Sequence, residues 1–181
     1  MFYTSCSSDD DDNNQTPEAT INDTIIGEWG LISLESTTDF TSEILGQPVN
    51  GIIDGTGSNF DYIVTFTEDS YTISGTYDVS ASVSVGGIPV DEFDGTVDQD
   101  LSGVYTIENN RLFLEENLIS SELDALGEID FEGLEEGIQI NINAAGELVL
   151  IQEVGLSSTG TDFNPLPFEG TSTGELIFIR Q

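Results

Sequence analysis

Residues 98–103 carry the spacing that comes nearest to a known chemical site. They read D-x-D-x-S-G, so Asp98, Asp100 and Ser102 present oxygen atoms at alternate positions, as in the first half of a calcium-binding loop. Such a loop needs a bidentate carboxylate at its twelfth position, which here is Asn109. The pattern therefore predicts a calcium site with an incomplete ligand set, formed by Asp98, Asp100 and Ser102, and no other cofactor is indicated.

Carboxylates are the most abundant chemical group in this chain of 181 residues. There are 35 Asp and Glu against two Lys and Arg together, and no histidine. Without an imidazole, Ser-His and Cys-His catalysis and the common zinc sites are excluded. A carboxylate pair could hydrolyse a glycoside, but among 35 acidic residues some pair reaches the required separation by chance, so none can be selected. We expect no enzymatic activity.

The charge of the chain limits its partners. A formal net charge of -33 argues against nucleic acid and against direct binding to anionic membrane surfaces, since both require Lys and Arg. The hydrophobic fraction of 37% is nevertheless that of a globular protein, so the charge must lie on a solvated surface. That surface is interpreted either as an adaptation to a salty medium or as a place where cations bind.

Cys6 lies in a segment that resembles a lipid-attachment signal. The small residues Thr4 and Ser5 precede it, and a run of aspartates, residues 9–12, follows shortly after. This resembles the lipobox and mature start of a bacterial lipoprotein, and the acidic run is similar to the surface-export signal of flavobacterial outer-membrane lipoproteins. The resemblance implies an acyl anchor on Cys6 and an outer-membrane location facing the cell exterior, with the periplasm as the alternative. Residues 1–5 would then be the remnant of a signal peptide.

Residues 1–24 are expected to form an acidic, disordered tether, because consecutive carboxylates and Asn, Gln, Thr and Pro cannot bury enough surface to offset their ordering entropy. A single folded domain is predicted over residues 25–181. Its centre is the stretch 60–85, where apolar and polar residues alternate with a period of two on either side of a short acidic turn. This alternation predicts two antiparallel strands with one apolar and one wet face.

The remaining segments predict further strands joined by short turns. Turn signals are Gly86-Gly87 and the connection 108–110. Residues 39–59 are expected to be mainly loop with a weak strand around 49–53, residues 155–173 are expected to be a loop, and the last strand is expected at 174–181. Residues 117–137 predict one short helix or an irregular acidic excursion. The whole chain is therefore predicted to be all-β, an antiparallel up-and-down barrel of about 8 to 10 strands with at most one short helix.

A barrel closes when its first strand pairs with its last, and two residues are placed to mark that closure. Trp29 lies in Gly27-Glu28-Trp29 on the first strand, and Arg180 lies in phase with Leu176 and Phe178 on the last. An arginine over an indole ring gains about 0.5 to 2 kcal/mol. The G-x-W signature with a basic residue on the closing strand resembles the lipocalin or calycin superfamily, and with the Cys6 segment it is similar to bacterial lipocalin-like lipoproteins.

The resemblance implies a non-catalytic monomer that binds a small apolar molecule inside the barrel. From the strand phases, the residues expected to face inward are Trp29, Tyr62, Phe66, Tyr77, Val79, Tyr105 and Phe178. Such residues can also simply fill a small barrel. The alternative function is therefore a structural or adhesion module of the cell envelope, with a filled barrel and an acidic surface that binds cations.

Overall fold

The computed structural model of the protein describes residues 21–115, 130–158 and 167–181. A short helix, α1, is followed by nine strands, and a single turn of 3-10 helix, Leu134–Glu136, lies between the sixth and the seventh. The elements are α1 (Ile21–Ile25), β1 (Gly27–Ile44), β2 (Gln47–Phe66), β3 (Ser70–Val85), β4 (Ile88–Glu108), β5 (Arg111–Leu114), β6 (Asp130–Glu132), β7 (Ile138–Ile142), β8 (Leu148–Ser158) and β9 (Phe168–Arg180).

All strand pairs are antiparallel, and they form one ring-like sheet. The order around the ring is β9-β1-β2-β3-β4-β5-β7-β8, and β8 returns to β9. The short strand β6 pairs with β8 beyond the end of β7, so β6 and β7 share one of eight strand positions. The prediction of an all-β, antiparallel, up-and-down barrel of lipocalin-like architecture is thus confirmed.

The ring is closed by long ladders on one side and a short one on the other. The ladder between β1 and β9 runs from Trp29 opposite Arg180 to Ser42 opposite Phe168. By contrast, β5 and β7 share only the pairs Arg111–Gln139 and Leu112–Ile138. Residues 88–103 of β4 pair with β3 alone among the described strands. The contact between β5 and β7 is therefore the thinnest part of the ring, and we call it the seam.

The tight turns predicted from the sequence are present. Gly86 and Gly87 have φ angles of 59° and 80°, and Asn109 and Asn110 have φ angles of 52° and 61°. Two successive left-handed residues match the right-handed twist of the strands that they join, which is why Gly and Asn occur there. These turns set the registers of the β3–β4 and β4–β5 hairpins.

The expectation of a loop over residues 39–59 is wrong. β1 continues to Ile44 and β2 begins at Gln47, so only Leu45 and Gly46 form the turn. Of the glycines that suggested a loop, Gly51, Gly55 and Gly57 are instead paired strand residues. A Cβ atom on Gly51 would collide with the ring of Phe40 on the neighbouring strand, so glycine there makes room for an inward-facing aromatic side chain.

Three other expectations need correction in the described residues. β8 extends to Ser158 and β9 begins at Phe168, so the predicted loop 155–173 is shorter than expected. Of the segment 117–137, which was expected to form a short helix or an irregular acidic excursion, the structure describes residues 130–137, and these contain β6 and the 3-10 turn. Residues 117–129 lie outside the described residues. Residues 21–24, assigned to the tether, belong to α1.

The core occupies one end of the barrel, which we call the Trp29 end. β1 begins there and β9 ends there, and among the largest fully buried side chains are Trp29, Tyr71, Phe178, Ile25 and Ile73. The opposite end carries the turns 45–46 and 86–87, and we call it the hairpin end. Its inward-facing side chains are mostly half-buried, as Phe40, Ile53 and Val83 are.

Among the described residues, no helix has the length and apolar character needed to cross a membrane.

Candidate functional site in the barrel interior

The residues predicted to face the interior lie together at the Trp29 end. All except Val79 are buried, and Val79 is half-buried and packs against them. Tyr62 and Tyr77 make an edge-to-face contact with ring centroids 5.2 Å apart, and Phe66 and Tyr105 make another at the same distance. These aromatic side chains fill this end of the barrel, and we call the cluster the aromatic base. Its members are Trp29, Tyr62, Phe66, Tyr77, Tyr105 and Phe178.

Arg180 and α1 cover the aromatic base from outside. Trp29 and Arg180 are paired in the β1–β9 ladder, and the guanidinium carbon of Arg180 lies 4.8 Å from the centre of the indole ring. Arg180 Nη2 also donates a hydrogen bond to the carbonyl oxygen of Thr24 at 2.6 Å, while Trp29 Nε1 donates one to the carbonyl oxygen of Ile25 at 2.6 Å. The base is therefore sealed against solvent at this end.

The polar groups of the base have partners within the barrel. The hydroxyl of Tyr62 donates to Oε1 of Gln99 at 2.5 Å. The hydroxyl of Tyr105 donates to the carbonyl oxygen of Thr67 at 2.6 Å. Burial raises the pKa of the Tyr105 hydroxyl, and the negative charge of Asp69 raises it further. Tyr105 is accordingly a neutral hydrogen-bond donor at physiological pH.

Towards the hairpin end, the interior wall changes from aromatic to small side chains. The ladder registers place Gly174 of β9, Ser36 of β1, Gly55 of β2 and Ala81 of β3 in one row across neighbouring strands. Gly174, Gly55 and Ala81 are buried and Ser36 is half-buried, and we call this row the small-residue band. Its members have short side chains or none, but Ser36 Oγ occupies the space that a Cβ atom on Gly55 would need, and the row continues on β4 with Phe93 opposite Ala81.

Gln152 of β8 continues the small-residue band on its next strand. It is paired with Gly174, and it is only 5% exposed. Its Oε1 atom is buried and has no hydrogen-bond partner among the residues that the structure describes. A buried amide oxygen normally accepts a hydrogen bond, because burial without one costs about 1 to 3 kcal/mol. Gln152 is therefore a buried acceptor without a donor among the described residues, next to Gly174 in the ladder.

An open groove of about 430 Å³ lies elsewhere, on the outer face near the hairpin end. It crosses β9, β1, β2 and β3, with Gly170, Phe40 and Gly51 between two rows of outward-facing residues that include the exposed Ile52. Two carboxylates, Asp39 and Glu169, contribute to its walls. None of the aromatic residues predicted to contact a ligand lines it.

The interpretation of residues 98–103 as a calcium loop is wrong, because these residues lie inside β4. Asp98, Asp100 and Ser102 are exposed on its outer face, and their positions are paired with those of β3 residues. Alternate residues of an extended strand project side by side about 7 Å apart, whereas the ligands of a calcium loop must converge on the ion. Among the described residues, no group of three or more metal-ligating side chains converges.

Sequence reasoning missed Gln152 and the small-residue band. A signal for Gln152 is present, because it follows Leu148 and Leu150 in the phase of the inward-facing residues and is succeeded by Val154. However, β8 reads LVLIQ, which is apolar on both faces, so the alternation alone does not identify the inner face. Cys6 lies outside the described residues.

Comparisons with protein-family models, with curated proteins and with solved structures found no match to this chain, so the site rests on its own geometry.

Proposed function

We propose that the protein is a non-catalytic carrier that holds a small apolar molecule inside the barrel, between the aromatic base and the hairpin end. The observation that carries this proposal is the small-residue band beside the buried Oε1 of Gln152, which has no hydrogen-bond partner among the described residues. A barrel that served only as a scaffold would be more stable with larger apolar side chains in that row. A bound molecule supplies those missing contacts.

The proposed binding mode follows from the two ends of the barrel. The aromatic base provides an apolar floor, and burying a ligand against it gains about 25 cal/mol for each Å² of apolar surface removed from water. Entry occurs from the hairpin end, where the inward-facing Phe40, Ile53 and Val83 are only half-buried. The floor is covered by Arg180 and α1, so the Trp29 end is not the proposed entrance.

The proposed cellular setting is the outer membrane, with the domain facing the cell exterior. It is supported by the sequence around Cys6 alone, that is, by small residues before the cysteine and the acidic run after it. An acyl group on Cys6 would hold the carrier at the bilayer. Metabolic labelling with a fatty acid in a related bacterium tests this assignment, since a Cys6→Ala variant should lose the label and leave the membrane fraction.

The carrier function is tested by filling the band. Ala81→Phe places a ring into the small-residue band, whereas Ser82→Phe places the same ring on the outer face of the same strand. We expect the parent protein and Ser82→Phe to bind the neutral fluorescent probe N-phenyl-1-naphthylamine saturably and with one site, and Ala81→Phe to bind it at least roughly tenfold more weakly. Equal binding by the two variants would show that the probe does not enter the barrel.

The second candidate function is a structural or adhesion module of the cell envelope. The outer groove favours it, because Asp39 and Glu169 lie in its walls together with hydroxyl groups. Such a module would bind divalent cations on its surface and carry nothing inside. Melting curves with calcium and with magnesium, compared for the parent protein and an Asp39→Asn, Glu169→Gln double variant, test it. A calcium-dependent stabilisation that the double variant loses would favour the module over the carrier.

A further inference from the structure

We propose that the outer face of β8, β9, β1 and β2 near the Trp29 end docks on the surface of a lipid bilayer that carries no net negative charge. This contact is separate from the carrier function, and it rests on the proposed acyl anchor at Cys6. Docking would hold the hairpin end, and with it the proposed entrance, away from the bilayer.

Two strands are apolar on both faces near the Trp29 end. β8 reads LVLI over residues 148–151, and β9 reads LIFI over residues 176–179. In each run the alternate residues belong to the buried core, so the residues between them face outward. Antiparallel strands with one wet face alternate, whereas runs that are apolar on both faces are typical of strands covered on both sides. The outer face of these runs is therefore suited to contact with another apolar surface.

The outward-facing residues of these strands and of their neighbours lie together. Gly30 of β1 is paired with Ile63 of β2 on one side and with Ile179 of β9 on the other. In the next row, Ile177 of β9 is paired with Val149 of β8. One more isoleucine lies at the register shift between β1 and β9. We call these side chains the outer apolar patch, which consists of Ile32, Ile63, Val149, Ile177 and Ile179.

The patch is open to solvent in the part of the chain that the structure describes. Ile32 is 42% exposed and Ile179 is 39% exposed, and the other three side chains are half-buried. A Cβ atom on Gly30 would overlap the side-chain amide of Gln181, so an uncharged polar group lies over the middle of the patch. By contrast, the outward-facing residues of β3 are all Thr, Ser or Asp, as expected of a face in water.

The described neighbours of the undescribed segments lie away from the patch. Residues 116–129 begin after Glu115, beside β4, and end at Asp130, opposite the hairpin half of β8. Residues 159–166 connect β8 and β9 at the hairpin end. Residues 7–20 contain no Val, Ile, Leu, Met or aromatic residue, so they have no large apolar side chain to place on the patch.

The attachment of the chain brings a bilayer within reach of the patch. α1 lies at the Trp29 end, and Cys6 is fifteen residues before its first residue, Ile21. Fifteen residues span at most roughly 50 Å. An acyl group on Cys6 would therefore keep the Trp29 end close to the bilayer. Because the second contact is then made within one tethered molecule, a weak apolar contact is sufficient.

A second copy of the chain is a poorer occupant of the patch. A stable dimer buries about 800 Å² on each partner, which is more than five side chains provide when three of them are already half-buried. Each copy would also carry a net charge of -33. Glu28 and Glu175 lie at the border of the patch on β1 and β9, and they disfavour anionic lipids for the same reason.

The test couples the full chain to vesicles through Cys6, its only cysteine. Phosphatidylcholine vesicles with a small fraction of a maleimide lipid supply the anchor, so the result does not depend on acylation in the cell. Ile179→Trp places an indole in the patch, and lipids brominated in their acyl chains quench an indole that touches them. The matched control is Thr173→Trp, on the outer face of the same strand but nearer to the hairpin end. Difference spectra against the parent protein remove the emission of Trp29.

We expect brominated lipids to reduce the added emission of Ile179→Trp at least roughly twofold and to leave that of Thr173→Trp unchanged. Adding Ile63→Thr and Ile177→Thr to the Ile179→Trp variant should abolish the quenching, because these changes keep branched side chains suited to a strand and remove the apolar contact. Replacing part of the phosphatidylcholine with phosphatidylglycerol at low salt should weaken the quenching.

Four results would overturn the proposal. Two concern the bilayer: equal quenching at positions 179 and 173, and quenching that survives the two threonine substitutions. Emission of Ile179→Trp at the short wavelength of a buried indole without vesicles would show that the chain itself covers the patch. A dimer of the uncoupled chain in sedimentation, dissociated by the threonine substitutions, would show that a second copy covers it. Quenching that phosphatidylglycerol leaves unchanged would overturn the restriction to lipids without net negative charge.

Failure of this contact is distinguishable from failure of the proposed function. Uptake of N-phenyl-1-naphthylamine is measured without a membrane, so it tests the carrier whatever the patch does. Fatty-acid labelling tests acylation of Cys6 in the cell, whereas the maleimide lipid supplies the anchor artificially. Quenching at position 179 without labelling of Cys6 would therefore overturn the cellular setting and support the contact of the patch with the bilayer.

Discussion

Both arginines of the protein hold backbone carbonyl oxygens. Arg180 reaches back from the last strand to Thr24 and also covers the ring of Trp29. Arg111 holds the carbonyl oxygens of Glu136 and Gly137 and thereby ties β5 to the 3-10 turn that precedes β7. The chain has 35 carboxylates and only two cationic side chains. One of these cations stabilises the closure between β1 and β9, and the other stabilises the seam between β5 and β7.

Replacing Arg180 with alanine should weaken the closure of the barrel. The variant loses the contact with the indole and the hydrogen bond to Thr24, so we expect the free energy of unfolding to fall by about 1 to 2 kcal/mol. Trp29 is the only tryptophan, and its fluorescence should move to longer wavelength as the base becomes accessible to water. Urea unfolding followed by this emission measures both effects.

Arg111→Ala is the matched control, because it also removes one positive charge, but at the seam between β5 and β7. It should lower stability without altering the emission of folded Trp29. An unchanged emission spectrum in Arg180→Ala would show that Arg180 does not protect the indole.

The Tyr105 hydroxyl should make the protein less stable at alkaline pH. Because its pKa is raised in the folded state, the unfolded chain ionises first, near the ordinary value of about 10. The stabilisation is complete below that pH and is lost as the pH rises through the folded-state pKa. Tyr105→Phe loses the hydrogen bond to Thr67 and should be less stable than the parent by about 1 kcal/mol at pH of about 8.

The difference in the free energy of unfolding between the parent protein and Tyr105→Phe should shrink as the pH is raised to about 11, since only the parent carries the hydroxyl that ionises. Urea unfolding at both pH values measures it. A constant difference would mean that Tyr105 ionises equally easily in the folded and unfolded chains.

The orientation of a single residue in its strand was predictable where its residue type is rare in the sequence. The phase of Trp29 and Arg180 could be assigned because a tryptophan on the first strand and an arginine on the last stand out among their neighbours. Gln152 could not, because a glutamine inside an apolar strand is common on either face, and only the ladder to Gly174 shows that it faces inward.

At the scale of elements, the long strands β1 and β2 depend on glycines that face side chains of the neighbouring strand. Gly51→Ala should destabilise the protein by about 1 to 3 kcal/mol, because the new Cβ atom would overlap the ring of Phe40. Shortening that ring in a Phe40→Leu, Gly51→Ala double variant should recover part of the loss. Thermal melting of the variants measures the effect.

Gly95→Ala provides the control, since a Cβ atom there meets nothing within 4 Å. It should leave stability unchanged or raise it by about 0.4 to 1 kcal/mol through the unfolded chain. Equal losses of stability in Gly51→Ala and Gly95→Ala would mean that the contact with Phe40 does not cause the destabilisation.

These glycines also explain why the extent of the strands could not be predicted. Glycine is a turn signal in a single sequence, and residues 46–57 contain several. Whether a glycine turns the chain or makes room for a cross-strand aromatic depends on the register, which is a property of two strands at once. The turns at Gly86-Gly87 and Asn109-Asn110 were predictable because two adjacent left-handed residues are needed there.

At the scale of the whole molecule, the net charge opposes folding through self-repulsion. Raising NaCl from about 0.05 M to about 1 M shortens the screening length from well over 10 Å to about 3 Å. We therefore expect the melting temperature to rise by roughly 5 °C, which corresponds to about 2 kcal/mol for a chain of this size.

KCl should act like NaCl at the same ionic strength, because the effect is screening. A much larger rise with calcium chloride at matched ionic strength would indicate bound cations instead. A melting temperature that does not respond to any of the salts would mean that the carboxylates are spaced too widely to repel one another.

The fold class was predictable at this scale because the alternation of apolar and polar residues in 60–85 admits only paired strands, and short turns in succession favour an up-and-down order. The unequal ladders around the ring could not be foreseen. The two residue pairs between β5 and β7 reflect how far each strand extends, and strand ends are determined by neighbours that the sequence does not specify.

The position of β9 between β1 and β8 has a consequence for how the protein is made. A growing chain can form the β1-to-β4 hairpins as they emerge, but β1 and β8 each keep an unpaired edge until β9 arrives. Pairing the first strand with the last brings together residues from opposite ends of the chain, which makes ring closure a slow, late event. A chain interrupted before Phe168 would expose both edges to other unfinished chains, so aggregation, rather than partial function, is the expected fate of truncated products.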